Sequence, residues 1–99
     1  RRGRRQNRRA RAGRMMLHFT DDAWDDYLYW QQTDKAVLKR INQLIKDMQR
    51  HPFEGLGKPE ALRHHLAGYY SRRINHEHRI VYKADDSGIW LIALRYHYQ

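Results

Sequence analysis

Two stretches rich in β-branched and aromatic residues flank a polar turn near the end of the chain. The first is Glu77-His78-Arg79-Ile80-Val81-Tyr82-Lys83-Ala84, the turn is Asp85-Asp86-Ser87-Gly88, and the second is Ile89-Trp90-Leu91-Ile92-Ala93-Leu94-Arg95-Tyr96-His97-Tyr98. This pattern predicts a β-hairpin over 77–98. Side chains alternate across a strand, so Ile80, Tyr82 and Ala84 share one face and Arg79, Val81 and Lys83 the other. In the second strand Trp90, Ile92, Leu94 and Tyr96 share a face, opposite Leu91, Ala93, Arg95 and His97. One face of the hairpin is nearly all apolar and requires a cover. The other ends in Arg79, Arg95 and His97, a group of cations with an imidazole that suits a phosphate.

The cover is legible upstream. Val37, Leu38, Ile41, Leu44, Ile45 and Met48 recur at helical spacing, with Lys35, Lys39, Arg40, Lys46 and Asp47 off that stripe. Thr33 or Asp34 caps this helix and Pro52 ends it. Before it, Thr20 offers an N-cap, and Asp21 and Asp22 lie in a first turn where the helix dipole favours acids. Trp24, Tyr27, Leu28 and Gln31 then fall on one side of a helix over 21–32, and Met15–Phe19 reads as a first strand. Residues 52–60 form a Gly/Pro loop, whose glycines lack the spacing of a nucleotide-binding loop. Leu62–Leu66 is expected to be a strand broken by Gly68, and Tyr69–Ile74 the next, with a turn at Asn75 and His76. The order predicts an α+β domain, two N-terminal helices packed on one face of a mostly antiparallel sheet.

The net charge of +9 alters this picture mainly at the N-terminus. Residues 1–14 hold eight arginines and no acid, which leaves twelve Lys and Arg against eleven Asp and Glu in residues 15–99. The segment 1–14 has no apolar periodicity and is expected to be a disordered extension of a domain spanning 15–99. It is either an RNA-seeking arm or a stretch ahead of a true start at Met15 or Met16. The chain has no cysteine, which excludes disulfides and thiolate metal sites and fits a cytoplasmic protein. No apolar run is long enough to span a membrane.

The candidate chemistry gathers on the uncovered sheet face. Arg73, Arg79, Arg95 and His97 are expected there, with Glu60, Arg63, His64 and His65 from the adjoining loop. RNA cleavage needs no nucleophile from the protein, because the ribose 2′-OH attacks. It needs a base, cations for the phosphate and an acid for the leaving 5′-oxygen, and this set contains all three. Arg72 and Arg73 also admit a plainer reading as surface charge. His76 and His78 have a metal-like spacing without matching third and fourth ligands, so neither a metal nor another cofactor is expected. A non-catalytic basic RNA- or ribosome-binding module is the alternative function. Glu60 weighs against it, since a carboxylate facing RNA repels phosphate.

Six stretches carry a family resemblance: Ala23-Trp24-Asp25-Asp26-Tyr27-Leu28-Tyr29-Trp30-Gln31, Ile41-Asn42-Gln43-Leu44-Ile45-Lys46-Asp47, Pro52-Phe53-Glu54-Gly55-Leu56-Gly57-Lys58-Pro59-Glu60, Ser71-Arg72-Arg73-Ile74, Glu77-His78-Arg79-Ile80-Val81-Tyr82 and Arg95-Tyr96-His97-Tyr98. From Met15 or Met16 onward the chain resembles the YoeB (Txe) toxins, a branch of the RelE superfamily. The resemblance implies a microbial-ribonuclease-like fold and a metal-independent endoribonuclease of a bacterial type II toxin–antitoxin pair. It implies cleavage of mRNA in the A site of the 70S ribosome, a cognate antitoxin as partner, and a homodimer. It makes Glu60 the general base, Arg79 the phosphate ligand, His97 the general acid and Tyr98 an aid to placing the site. Arg63, His64, Arg73 and Arg95 become substrate-binding. Three positions depart from the family pattern: Gln99 extends the chain, Arg63 stands where Lys is expected, and His65 where Asn is expected. The arginine-rich arm has no counterpart in the family.

Overall fold

The computed structural model describes residues 13–96. Nearly all of the arginine-rich extension, and both His97 and Tyr98, therefore lie outside the described residues. The elements run β1 (Leu17–Phe19), α1 (Asp21–Thr33), α2 (Lys35–Arg50), β2 (Glu60–Ala61), a 3-10 turn (His64–Leu66), β3 (Tyr70–Arg73), β4 (Arg79–Asp85) and β5 (Gly88–Ala93). The sheet order is β1-β5-β4-β3-β2. Only the β1–β5 pair is parallel among these. One core joins Ala23 and Trp30 of α1 and Ile41, Leu44, Ile45 and Met48 of α2 to Ile80, Tyr82, Ile89, Leu91 and Leu94 of the sheet side. Both helices thus cover one sheet face, and the α+β arrangement read from the periodicity is the observed one.

The helix boundaries follow their capping chemistry. Thr20 Oγ1 accepts the Ala23 N–H at 3.1 Å. Asp34 Oδ1 accepts the N–H groups of Ala36 and Val37, both at 3.1 Å. These satisfy first-turn donors that have no partner within the helix. Helix α2 stops at Arg50, two residues before Pro52.

The hairpin departs from simple alternation at one residue. Val81 pairs with Ala93, yet Tyr82 pairs with Leu91, so Ile92 is the extra residue of a β-bulge. One inserted residue exchanges the faces of everything on its far side. Leu91 is therefore fully buried in the core. Trp90, expected on the covered face, stands opposite Lys83 on the open one. Beyond the bulge Leu94 returns to the core, while Tyr96 is 54% exposed rather than covered. The expected strand over 62–66 is also absent. Leu62 N–H still bonds to Tyr69 O at 2.9 Å, but Leu66 N–H then turns back to Arg63 O at 3.0 Å. His64 adopts φ 57°, a left-handed conformation that closes the turn.

Arg72 is not surface charge. It is fully buried, because the alternation that exposes Arg73 points Arg72 at the helices. Its Nε donates to Tyr82 Oη at 3.0 Å. Nη1 donates to Asp47 Oδ2 at 2.7 Å and to the Leu56 carbonyl at 3.1 Å. Nη2 donates to the carbonyls of His51 and Glu54. Asp47 Oδ2 also accepts the Leu56 N–H at 2.9 Å, and Tyr82 Oη donates to Pro52 O at 2.7 Å. One guanidinium so ties the Pro52–Pro59 loop to α2 and to the sheet.

The glycines of this loop serve the same contact. Gly57 has φ 79°, and a Cβ on it would lie 2.7 Å from Leu44 Cδ2 and 3.1 Å from the Arg73 carbonyl oxygen. The Gly57 carbonyl accepts the Arg73 N–H at 2.7 Å. From there the chain enters β2 and places Glu60 opposite Ser71.

Two outcomes follow for stability. Gly57→Ala combines a strained φ with overpacking and should cost roughly 1–3 kcal/mol, read as a lower urea midpoint at unchanged slope; an unmoved midpoint contradicts the tight approach. Asp47 titrates below the ordinary carboxylate range: burial raises it, but the Leu56 amide and the Arg72 guanidinium together outweigh burial. Its contribution is whole above about pH 4, the unfolded value, and is lost as pH falls through the lower folded value. Asp47→Asn should therefore cost about 3 kcal/mol at pH 7, and the gap to wild type should close in more acid solution. A gap that does not narrow with falling pH contradicts the ion pair.

Candidate active site

The sheet register assembles the open face. Glu60 pairs with Ser71, Ser71 with Val81, and Val81 with Ala93, one row across four strands. Directly paired residues point the same way. Two residues farther along β3, Arg73 pairs with Arg79, so this pair shares the face of Glu60. Ser71, Val81 and Ala93 are buried and form the floor, whereas Glu60 and Arg73 are exposed. The structure thus brings together Glu60, Arg73 and Arg79 of the expected set. Arg63 and His64 stand exposed on the turn that follows β2.

Arg79 is held by the turn before it. Asn75 Oδ1 accepts the N–H groups of Glu77 at 2.9 Å and His78 at 2.8 Å, an Asx turn. The His78 carbonyl in turn accepts the Ile74 and Asn75 amides at 3.0 and 3.3 Å. Arg79 Nη1 donates to the carbonyls of Asn75 at 2.7 Å and His78 at 3.1 Å. Its Nε and Nη2 make no hydrogen bond among the described residues, and they are the donors left for an anion. A half-buried guanidinium fixed at one nitrogen is pre-set to receive a phosphate oxygen at another.

The other edge of the site is the exit of β5. Among the described residues no strand pairs with the chain past Ala93, and side chains of the α1 region take over backbone groups at this exit. Thr20 Oγ1 donates to Ile92 O at 3.2 Å. Asp26 Oδ2 accepts the Leu94 N–H at 2.9 Å, and Trp30 Nε1 donates to Leu94 O at 2.9 Å. Arg95 was expected to meet substrate on the open face. Its guanidinium instead lies 3.8 Å over the Tyr29 ring of α1 and donates through Nη2 to Tyr96 Oη at 2.8 Å. Arg95 Nε is buried with no hydrogen-bond partner among the described residues, as expected for a guanidinium packed on aromatic faces. Tyr96 has φ 63°, and its carbonyl accepts the Arg79 N–H at 3.1 Å. The described chain therefore ends beside Arg79.

Several of these residues escaped the pattern reading. Asp26 and Trp30 sit within an aromatic-rich helix where nothing distinguishes a backbone ligand from a packing residue. Arg72 did carry a signal, since it alternates with the apolar Tyr70 and Ile74. Among the described residues no three His, Asp or Glu side chains are grouped as metal ligands. His78 Nδ1 is already engaged with the Tyr96 N–H at 2.8 Å.

Known proteins share this fold. The model of the YoeB-like toxin of bacterial type II toxin–antitoxin systems matches residues 19–98. Toxin YoeB of Escherichia coli K12 is 57% identical over 84 residues, covering 85% of this chain and all of that one. A YoeB dimer from Staphylococcus aureus is 51% identical with a TM-score of 0.80, over 86% of this chain and 99% of that one. A YoeB–YefM complex from the same organism is 50% identical with a TM-score of 0.78, at the same coverage. The chain belongs to the YoeB-like toxins of bacterial type II toxin–antitoxin systems.

Proposed function

We propose that this toxin is a ribosome-dependent endoribonuclease that cuts mRNA in the A site of the 70S ribosome and so blocks translation in the bacterial cytoplasm. The observation that supports this most is the shared face of Glu60, Arg73 and Arg79, with the C-terminal chain leaving the fold beside Arg79. Glu60 takes the proton of the ribose 2′-OH. The freed oxygen attacks phosphorus, and the bond from phosphorus to the 5′-oxygen breaks. Arg79, with Arg73 beside it, holds the charge that grows on the phosphate oxygens. His97 gives a proton to the leaving 5′-oxygen, and Tyr98 helps to place the site. The products are a 2′,3′-cyclic phosphate and a 5′-hydroxyl. Arg63 and His64 bind flanking phosphates, and Arg95 supports Tyr96 from behind. No step calls for a metal or another cofactor.

The S. aureus relatives form a dimer and a complex with YefM. By the same likeness this chain is assigned a homodimer and a cognate antitoxin that closes the site. The acid at Glu60 favours catalysis over a purely RNA-binding role, because a binder gains nothing from a carboxylate facing phosphate.

The test is single-turnover cleavage on programmed ribosomes. Glu60→Gln should lower the rate by about 10²–10⁴-fold, the usual contribution of one base. Ribosome binding should be nearly unchanged. A Glu60→Gln protein that cuts at the wild-type rate removes the general base, and a wild-type protein that binds ribosomes without cutting establishes the binding module instead.

A further inference from the structure

We propose that His78 is a positioning residue that sets the Tyr96 backbone against Arg79. This rests on the ribonuclease reading, in which the next residue in the sequence, His97, is the proton donor. His78 is 8% exposed and joins the turn before β4 to the chain that leaves β5. Through its carbonyl it closes the turn after β3 and accepts from Arg79 Nη1 at 3.1 Å. Through its ring it reaches the exit of β5, where Nδ1 accepts the Tyr96 N–H at 2.8 Å. The same backbone unit of Tyr96 returns its carbonyl to the Arg79 N–H at 3.1 Å. Residues 78, 79 and 96 so form a closed loop of hydrogen bonds, and residue 97 is the next along the chain.

The ring cannot turn away from this duty. Trp30 meets it edge-on, with centroids 4.8 Å apart at 75°, and the Tyr96 ring tilts against it at 5.3 Å. Trp30 is itself fixed by its bond to the Leu94 carbonyl. An Nδ1 that accepts a bond carries no proton, so the proton of the neutral ring sits on Nε2. Nε2 faces Glu77 Oε1 at 3.6 Å. Tyr96 needs such a fixed partner, because at φ 63° it holds a conformation that bulky residues rarely adopt. A residue of the same shape without the acceptor would fill the space among Trp30 and Tyr96 and leave the Tyr96 amide unheld. The distinction separates positioning from packing.

Two variants of the full chain divide the cases. His78→Phe keeps a ring and loses the acceptor. His78→Asn loses the ring and keeps an acceptor oxygen on Cγ, where Nδ1 was. On programmed ribosomes His78→Phe should cut about 10–100-fold more slowly, the effect of displacing a reacting group by about an ångström. Its apparent KM should hold within about twofold and His78→Asn should recover to within about fivefold of wild type, if the loss is in placement rather than in binding. In ¹⁵N-labelled wild type, a scalar coupling across the hydrogen bond should link the Tyr96 amide nitrogen to His78 Nδ1, and His78→Phe should lack it. Wild-type rates in His78→Phe overturn the inference. Should His78→Phe fail to fold, the coupling and His78→Asn still decide, and an Asn variant with no recovery of rate overturns it. A wild-type chain that cleaves without the coupling overturns this inference alone. One that shows the coupling yet cleaves nothing overturns the ribonuclease reading and this role with it.

Discussion

The buried guanidinium of Arg72 is the constraint on which the site depends. A charge with no solvent exposure is tolerated only where its donors are met, and here three loop carbonyls, a phenol and a carboxylate meet them. Burial pushes the Tyr82 phenol up, which keeps it protonated and able to donate to Pro52. The loop between α2 and β2 has few apolar side chains in the core, so it is held by polar contacts rather than by burial. Its last act is to deliver Glu60 onto the edge of the sheet, next to Ser71. The Glu60 carboxylate is thus positioned from the far face of the sheet.

The opposite end of the site is built by a different device. Past Ala93 the described chain has left the ladder, and its carbonyls and amides would go unpaired. Thr20, Asp26 and Trp30 take them, so α1 serves as both a core helix and a backbone clamp. His78 completes the connection from the sheet side. Glu60 is carried on the edge strand β2, with the Arg73–Arg79 pair on the neighbouring strands β3 and β4.

Much of this was legible in the residues. The apolar stripe from Val37 to Met48, the caps at Thr20 and Asp34, and the turn at Asp85–Gly88 each have a local cause, and each appears where local chemistry puts it. The open face and its arginines followed from alternation along β4. The bulge was not legible, because Trp90, Leu91, Ile92 and Ala93 are all apolar and no polar residue marks the change of phase. Leu62 and Leu66 suggested a strand, but pairing at this edge ends once the chain must turn back toward Tyr69. The roles of Arg72, Asp26 and His78 depend on partners 10 to 68 residues away, and a reading of local pattern has no access to such distances. The family resemblance reached Glu60 and Arg79 by motif, and the register places them on one face.

In the proposed mechanism the protein supplies proton transfer and charge while the RNA supplies the nucleophile. An mRNA carrying 2′-deoxyribose at the nucleotide 5′ of the scissile phosphate tests this most directly when placed in programmed ribosomes with the full chain. This mRNA should recruit the toxin as well as its ribose counterpart and should not be cut at that position. Cleavage there at the ribose rate would contradict the mechanism.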